Sequence, residues 1–213
     1  MSAPHLLYFA DPMCSWCWGF SPTVTAIEAR FGAALPIRLV LGGLRPGVTN
    51  PMRERDRDVT RSHWEHVRDA SGQPFDFAFF ARENFVYDTE PAARAVVVLR
   101  RRGQEAGLAV LKRLHRAFYA ENRDVTDTPE LTAVAGELGF DPETFRADFE
   151  SAEAIEETRR DFAFSQSVGV RGFPTLIAGS GRDKSYALVT NGYQPPQPIL
   201  HAFEGWVAAG CEV

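Results

Sequence analysis

The segment Cys14-Ser15-Trp16-Cys17 constrains this chain most, because it joins the end of an apolar run, Leu6 to Ala10, to the start of an amphipathic stretch. A cysteine at such a strand-to-helix junction meets free backbone amides and the positive end of the helix dipole, which favour a thiolate. A second cysteine one turn on is placed as its disulfide partner. The pattern predicts dithiol chemistry, with Cys14 as the exposed attacking sulfur and Cys17 as the resolving one. Two other readings exist. Half of a zinc site needs a second ligand pair, yet the remaining cysteine, Cys211, lies at the far end of the chain, where it reads as a free or half-buried thiol. A pair of merely buried cysteines gives no reason for the strand-to-helix setting.

Hydrophobic spacing supplies the frame around the motif. Leu6 to Ala10 reads as a buried strand, and Cys14 to about Phe31 as a helix with Val24, Ile27 and Phe31 at helical spacing. Pro22 inside that helix removes one backbone donor, which predicts a kink. Pro36 to Leu41 is a second strand, ended by Gly42-Gly43, so the unit is β-α-β with a right-handed crossover and parallel strands. That topology brings the Cys14 loop and the Gly42-Gly43-Leu44-Arg45 loop to one end of the sheet.

From about Thr49 to Gly169 the pattern is helical. Thr128-Pro129-Glu130 and Asp141-Pro142-Glu143 are start signals, and Leu108, Leu111, His115 and Phe118 form an apolar stripe. Further helices are expected over Ala92 to Arg102 and Ser151 to Val168. Strands return at Phe173 to Ala178 and Tyr186 to Thr190 around a polar turn, Gly179 to Ser185, and a last helix opens at Pro195-Pro196.

With 213 residues, 45% of them hydrophobic, the chain can bury a substantial core. Its net charge of -5 argues against a nucleic-acid partner. No metal-ligand cluster, basic leader or membrane-length apolar segment is read from the sequence, so a cytoplasmic setting without membrane contact is expected.

The order of elements, together with Asp11-Pro12-Met13-Cys14-Ser15-Trp16-Cys17-Trp18-Gly19-Phe20, Gly42-Gly43-Leu44-Arg45 and Gly172-Phe173-Pro174-Thr175, resembles the thioredoxin-like fold in its DsbA form. It is most similar to the FrnE-type cytoplasmic branch of DsbA-like thiol:disulfide oxidoreductases. The resemblance implies an α/β fold: a thioredoxin-like domain over residues 1–48 and 170–213, with an all-helical domain, 49–169, inserted. It implies Cys14, Cys17 and a cis Pro174 as the catalytic set. Phe173 would pair through its backbone with extended substrate, and Ser15, Trp16 and Thr175 would bind substrate; Arg45, brought to the same sheet end by the topology above, is a further substrate-binding candidate for an acidic or carboxylate group, with a solvated loop arginine as the equal alternative. The implied partners are disulfide-containing proteins or small-molecule thiols. No cofactor is implied beyond the redox-active disulfide, with glutathione as a candidate co-substrate.

The same scaffold serves 2-hydroxychromene-2-carboxylate isomerases and kappa-class transferases, which typically carry a serine at the place of Cys14; two intact cysteines count against that alternative. A non-enzymatic peptide-binding or chaperone module leaves the dithiol unexplained. In one respect the sequence departs from its relatives. Many bury a carboxylate in the strand before the motif, whereas this strand reads Leu6-Leu7-Tyr8-Phe9-Ala10. Tyr8 stands there instead, and Asp11, nearer solvent, is expected only to turn the chain. His63, Trp64 and His66 form a helix patch placed to line a pocket facing the dithiol, with purely structural histidines as the commoner alternative.

Overall fold

The computed structural model describes residues 3–181 and 185–211. Its sheet is built outward from β1 (His5–Ala10). On one side β2 (Ile37–Leu41) runs parallel to it, with Leu6 opposite Ile37 and Ala10 opposite Leu41. On the other side β3 (Thr175–Gly179) runs antiparallel, with Phe9 opposite Thr175, and β4 (Tyr186–Asn191) follows it antiparallel. The order is β2-β1-β3-β4. Part of the expected turn before β4, residues 182–184, lies outside the described residues. The parallel pair forces a crossover, and α1 (Ser15–Phe31) provides it.

Side chains alternate across a strand, so neighbouring residues of β1 face opposite layers. Tyr8 meets Phe20 of α1, with ring centres 5.9 Å apart. Phe9 stacks at 6.1 Å on Phe164 of the helix at Ala152–Ser167. Between β2 and β3 the chain is helical: α2 (Glu54–Ser71), α3 (Glu90–Arg100), α4 (Gln104–Tyr119), α5 (Thr128–Glu137), α6 (Pro142–Phe149) and α7 (Ala152–Ser167). The last helix, α8 (Pro196–Ala208), packs on α1 through an edge-to-face contact of Phe203 with Phe31.

The outer edge of β2 is closed by side chains of the helical block rather than by another strand. Gln104 and Asp161 accept from the amides of Leu39 and Leu41, each at 2.8 Å, and Arg100 donates to the Leu39 carbonyl at 2.6 Å. Arg100 also grips Asp161 in a two-point ion pair at 2.6 and 3.1 Å. An otherwise bare edge, a template for unwanted pairing, is thereby satisfied.

Pro22 does not interrupt α1, which runs unbroken through it. The proline deprives the Trp18 carbonyl of its usual amide partner, and Gln73 supplies a replacement: its Nε2 donates to Trp18 O at 3.2 Å and to Ser21 Oγ at 2.9 Å. The block between β2 and β3 has an aromatic core around Trp64, whose ring lies 4.9 Å from those of Phe79 and Phe80 and 5.0 Å from that of Tyr119.

Candidate active site

The parallel pairing of β1 and β2 sets the carboxyl ends of both strands side by side, and β3 begins at the same end. Three loops therefore converge. Cys14 occupies the N-cap of α1 with extended backbone angles, its amide donating to the Asp11 carbonyl at 3.1 Å while Trp18 N donates to its own carbonyl at 3.1 Å. The Cys14 thiol donates to the Phe173 carbonyl at 3.5 Å, and the Phe173-Pro174 peptide is cis. Both motif cysteines are free.

The expected exposure of Cys14 needs correction. Only 5% of the residue meets solvent, because the loops carrying Phe173 and Leu44 and the helix α2 close over it. Its access is through a cavity of about 240 Å³, lined also by Met13, Ser15, Trp16, Arg45, His63 and Tyr87. Cys17, at 0% exposure, lies behind. Burial drives its thiol well above the ordinary range, and the neighbouring Cys14 sulfur reinforces the shift. Tyr8 is hydrogen-bonded to Cys17 and is itself held in the phenol form by burial.

Asp11 overturns a second expectation. It is fully buried, not nearer solvent. Its Oδ1 accepts from Met13 N at 2.9 Å, which is the expected turn, but its Oδ2 accepts from Leu44 N at 2.8 Å across the sheet end. Burial raises its pKa to about 6 against these two bonds. Its charge is also felt at Cys17, so a buried carboxylate does stand beside the resolving thiol, supplied by the residue after the strand instead of one within it. The sequence carried a sign of this: Asp11 is the sole Asp, Glu, Lys or Arg before Glu28. His115 joins the group, its Nε2 hydrogen-bonded to the Asp11 carbonyl oxygen at 3.1 Å, and burial lowers its pKa to about 4.

The other named residues divide. Ser15, Trp16, Phe173 and Arg45 border the cleft, whereas Thr175 is buried and spends its hydroxyl on the Gly172 carbonyl at 2.8 Å. The helix patch is split as well: His63 and Trp64 both line the cleft, Trp64 as a buried ring that also belongs to the aromatic core, whereas His66 is exposed and away from the cavity. Trp16 packs on Tyr193 with ring centres 5.7 Å apart, while Trp18 is buried with its indole donating to Pro74 O at 3.1 Å. Cys211 is buried after α8. Sequence reasoning missed Tyr87, whose hydroxyl donates to the Met13 carbonyl at 2.8 Å and so ties the aromatic core to the residue before Cys14; a tyrosine amid phenylalanines carries no local sign of that bond.

The model of the DSBA-like thioredoxin domain matches residues 5–203. The chain belongs to that family. Among solved DSBA-like structures, a protein of Nitrosomonas europaea, provisionally described as a protein disulfide isomerase, is 35% identical with a TM-score of 0.87, covering 97% of this chain and 98% of its own. The cytosolic disulfide reductase DsbM of Pseudomonas aeruginosa is 27% identical with a TM-score of 0.79, covering 96% of this chain and 99% of its own. Among curated relatives, the ClpXP adapter protein SpxH of Bacillus subtilis is 24% identical over 81% of this chain, and the match spans 57% of that relative's length. Among the described residues no helix is long and apolar enough to cross a membrane.

Proposed function

We propose that the protein is a thiol:disulfide oxidoreductase in which the Cys14 thiolate attacks a substrate disulfide, forming a mixed disulfide and expelling one substrate thiolate. Cys17 then attacks the Cys14 sulfur, expels the second substrate thiolate and leaves a Cys14–Cys17 disulfide. Two electrons pass to the substrate, and the protons lost by the two cysteines end on the two released thiols. The observation that carries this reading is the position of the Cys14 thiol at a helix N-cap, on an open cavity, against the carbonyl of Phe173.

Asp11 has a defined part in the second half. Cys17 is buried and reluctant to ionise, and a carboxylate with a pKa of about 6 is ionised at neutral pH and near enough to be felt at Cys17. It receives the Cys17 proton as the thiol becomes a nucleophile. Backbone bonding at Phe173 would hold an extended substrate across Cys14. A cytoplasmic setting is supported by DsbM, a cytosolic disulfide reductase, and glutathione as co-substrate by the structure of DsbM with GSH.

The test is a pair of variants assayed for disulfide reduction with mass analysis of Cys14. Cys17→Ser is expected to stop after the first step and accumulate a reducible adduct on Cys14, and Cys14→Ser to lose both adduct and turnover. Full turnover in Cys17→Ser with no adduct would overturn the dithiol mechanism in favour of glutathione-dependent isomerase or transferase chemistry, where a single hydroxyl or thiol suffices.

A further inference from the structure

The cleft beside Cys14 carries charge that its own surroundings do not neutralise. Arg45 lines it with its guanidinium 4.9 Å above the ring of Tyr87. Tyr87 is in turn bonded to the Met13 carbonyl, so the cation is tied through two contacts to the residue preceding Cys14. The backbone of Arg45 is fixed as well, its amide donating to Thr89 Oγ1 at 3.0 Å and its carbonyl accepting from Thr89 N at 3.3 Å. Among the described residues no carboxylate lies within ion-pair distance of it. The acids on adjoining segments are already engaged: Asp11 by the amides of Met13 and Leu44, and Asp88 by those of Gly47 and Glu90. His63 of α2 lines the same cavity.

We infer that Arg45, with His63, forms an anion-binding subsite next to Cys14 that selects disulfides bearing a carboxylate near the sulfur over neutral or cationic ones. The cavity, about 240 Å³, falls below the roughly 300–1,000 Å³ usual for sites enclosing a whole small molecule. It takes one half of a disulfide while the other half leaves. A carboxylate on the retained half meets the guanidinium fork in a charge-assisted bond, and the stacked, backbone-anchored arginine loses little freedom in making it. Met13, Trp16, Leu44 and Phe173 give the cavity an apolar wall beside that bond, while Arg45 and His63 are themselves exposed, so the pair forms at the mouth and is partly screened. This assignment rests on the dithiol reading proposed above.

Single-turnover reduction tests it with the full chain in its reduced form and three probes: oxidised glutathione, which is acidic; bis(2-hydroxyethyl) disulfide, which is neutral; and cystamine, which is cationic. The reduced dithiol is itself the reductant, so no other component is needed. The readout is the ratio of acidic to cationic probe rates, to which a general loss of activity contributes nothing. The expected ratio at low salt is about fivefold or more above that of a free model dithiol, as one partly screened ion pair provides. It should fall toward the model dithiol's ratio as ionic strength rises, and it should invert in Arg45→Glu. Arg45→Gln and His63→Gln, which keep polar bulk, are expected to lower the ratio without inverting it, and they serve if the glutamate variant does not fold. A ratio equal to that of the model dithiol, or unchanged in the variants and with salt, overturns the subsite while reduction of the neutral probe leaves the dithiol mechanism standing. Failure to reduce any of the three probes overturns both.

Discussion

Cys14 and Cys17 are three residues apart in one helical turn, yet they face two different chemical environments. Around Cys14 stand the Phe173 carbonyl, a helix N-terminus and a cavity walled largely by apolar and aromatic side chains, with Arg45 and His63 at it. Around Cys17 the wall is buried and titratable, with Tyr8 bonded to it, Asp11 acting on it by its charge and His115 bonded to Asp11. The difference teaches that a C-x-x-C motif is not a symmetric pair. The first cysteine is built to meet a partner from outside, and the second to receive its orders from within.

Alkylation breaks or sharpens this contrast most directly. In the reduced protein Cys14 has an opening and Cys17 has none, and burial holds the Cys17 thiol far from ionising at neutral pH. Less thiolate and no access act in the same direction at Cys17, so iodoacetamide should label Cys14 well before Cys17. Peptide mapping over time reads both sites and Cys211 together. Comparable rates at Cys14 and Cys17, or fastest labelling at Cys211, would erase the division of labour.

The interior side has its own signature in stability against pH, because Asp11 and His115 are shifted in opposite directions. Between 3.8 and about 6 native Asp11 retains a proton that the unfolded chain has released; through that window its contribution to stability falls as pH rises. Between about 4 and 6.5 native His115 refuses a proton that the unfolded chain holds, so its contribution rises with pH. The two oppose each other and largely cancel in the wild type. Asp11→Asn should therefore expose the His115 slope, a gain relative to wild type of about 2 kcal/mol between pH 4 and 6, and His115→Gln the reverse, a loss of about the same size. Urea denaturation at several pH values, taken as variant minus wild type, cancels the surface carboxylates common to both. Parallel curves for the two variants would separate Asp11 and His115 from the titration assigned to them.

How much of this was legible depends on how far apart in sequence the partners lie. The β-α-β unit, the helical block, the returning hairpin and the motif at the head of α1 follow from periodicity and from Gly and Pro punctuation, which are local. The relations that made expectations fail are long-range. Whether Asp11 is buried depends on Leu44 folding over it, and whether Cys14 is exposed depends on Phe173 and α2. The bond by which Gln73 satisfies the stranded carbonyl of Trp18 below Pro22 is equally long-range. His63 and His66 lie on one helix, yet the first lines the cleft beside Trp64 and the second is exposed away from it.

The smallest effect concerns the outer side, where two adjacent glycines serve for different reasons. A Cβ on Gly42 would lie 1.9 and 2.0 Å from the Cζ and Cε1 atoms of Phe173, so the ring before the cis proline is seated directly on this backbone. Gly42 lies outside the left-handed region, and the three atoms nearest its Cβ all belong to that ring. Gly43 is crowded too, its Cβ falling 2.8 Å from the Phe162 ring, but its φ of +69° also disfavours any side chain. Gly42→Ala is expected to destabilise by about 1–2 kcal/mol, as overpacking does, and to slow attack by Cys14 as the displaced ring moves into the cleft. In a Phe173→Ala background, the same substitution should cost nearly nothing. Gly43→Ala should keep a penalty of about 1 kcal/mol even after Phe162→Ala, because the backbone strain remains. Two double-mutant cycles by urea denaturation, with Cys14 alkylation as the second readout, distinguish the cases. Additivity of Gly42→Ala with Phe173→Ala would show that the glycine does not seat the ring, and that the wall of the cleft is set elsewhere.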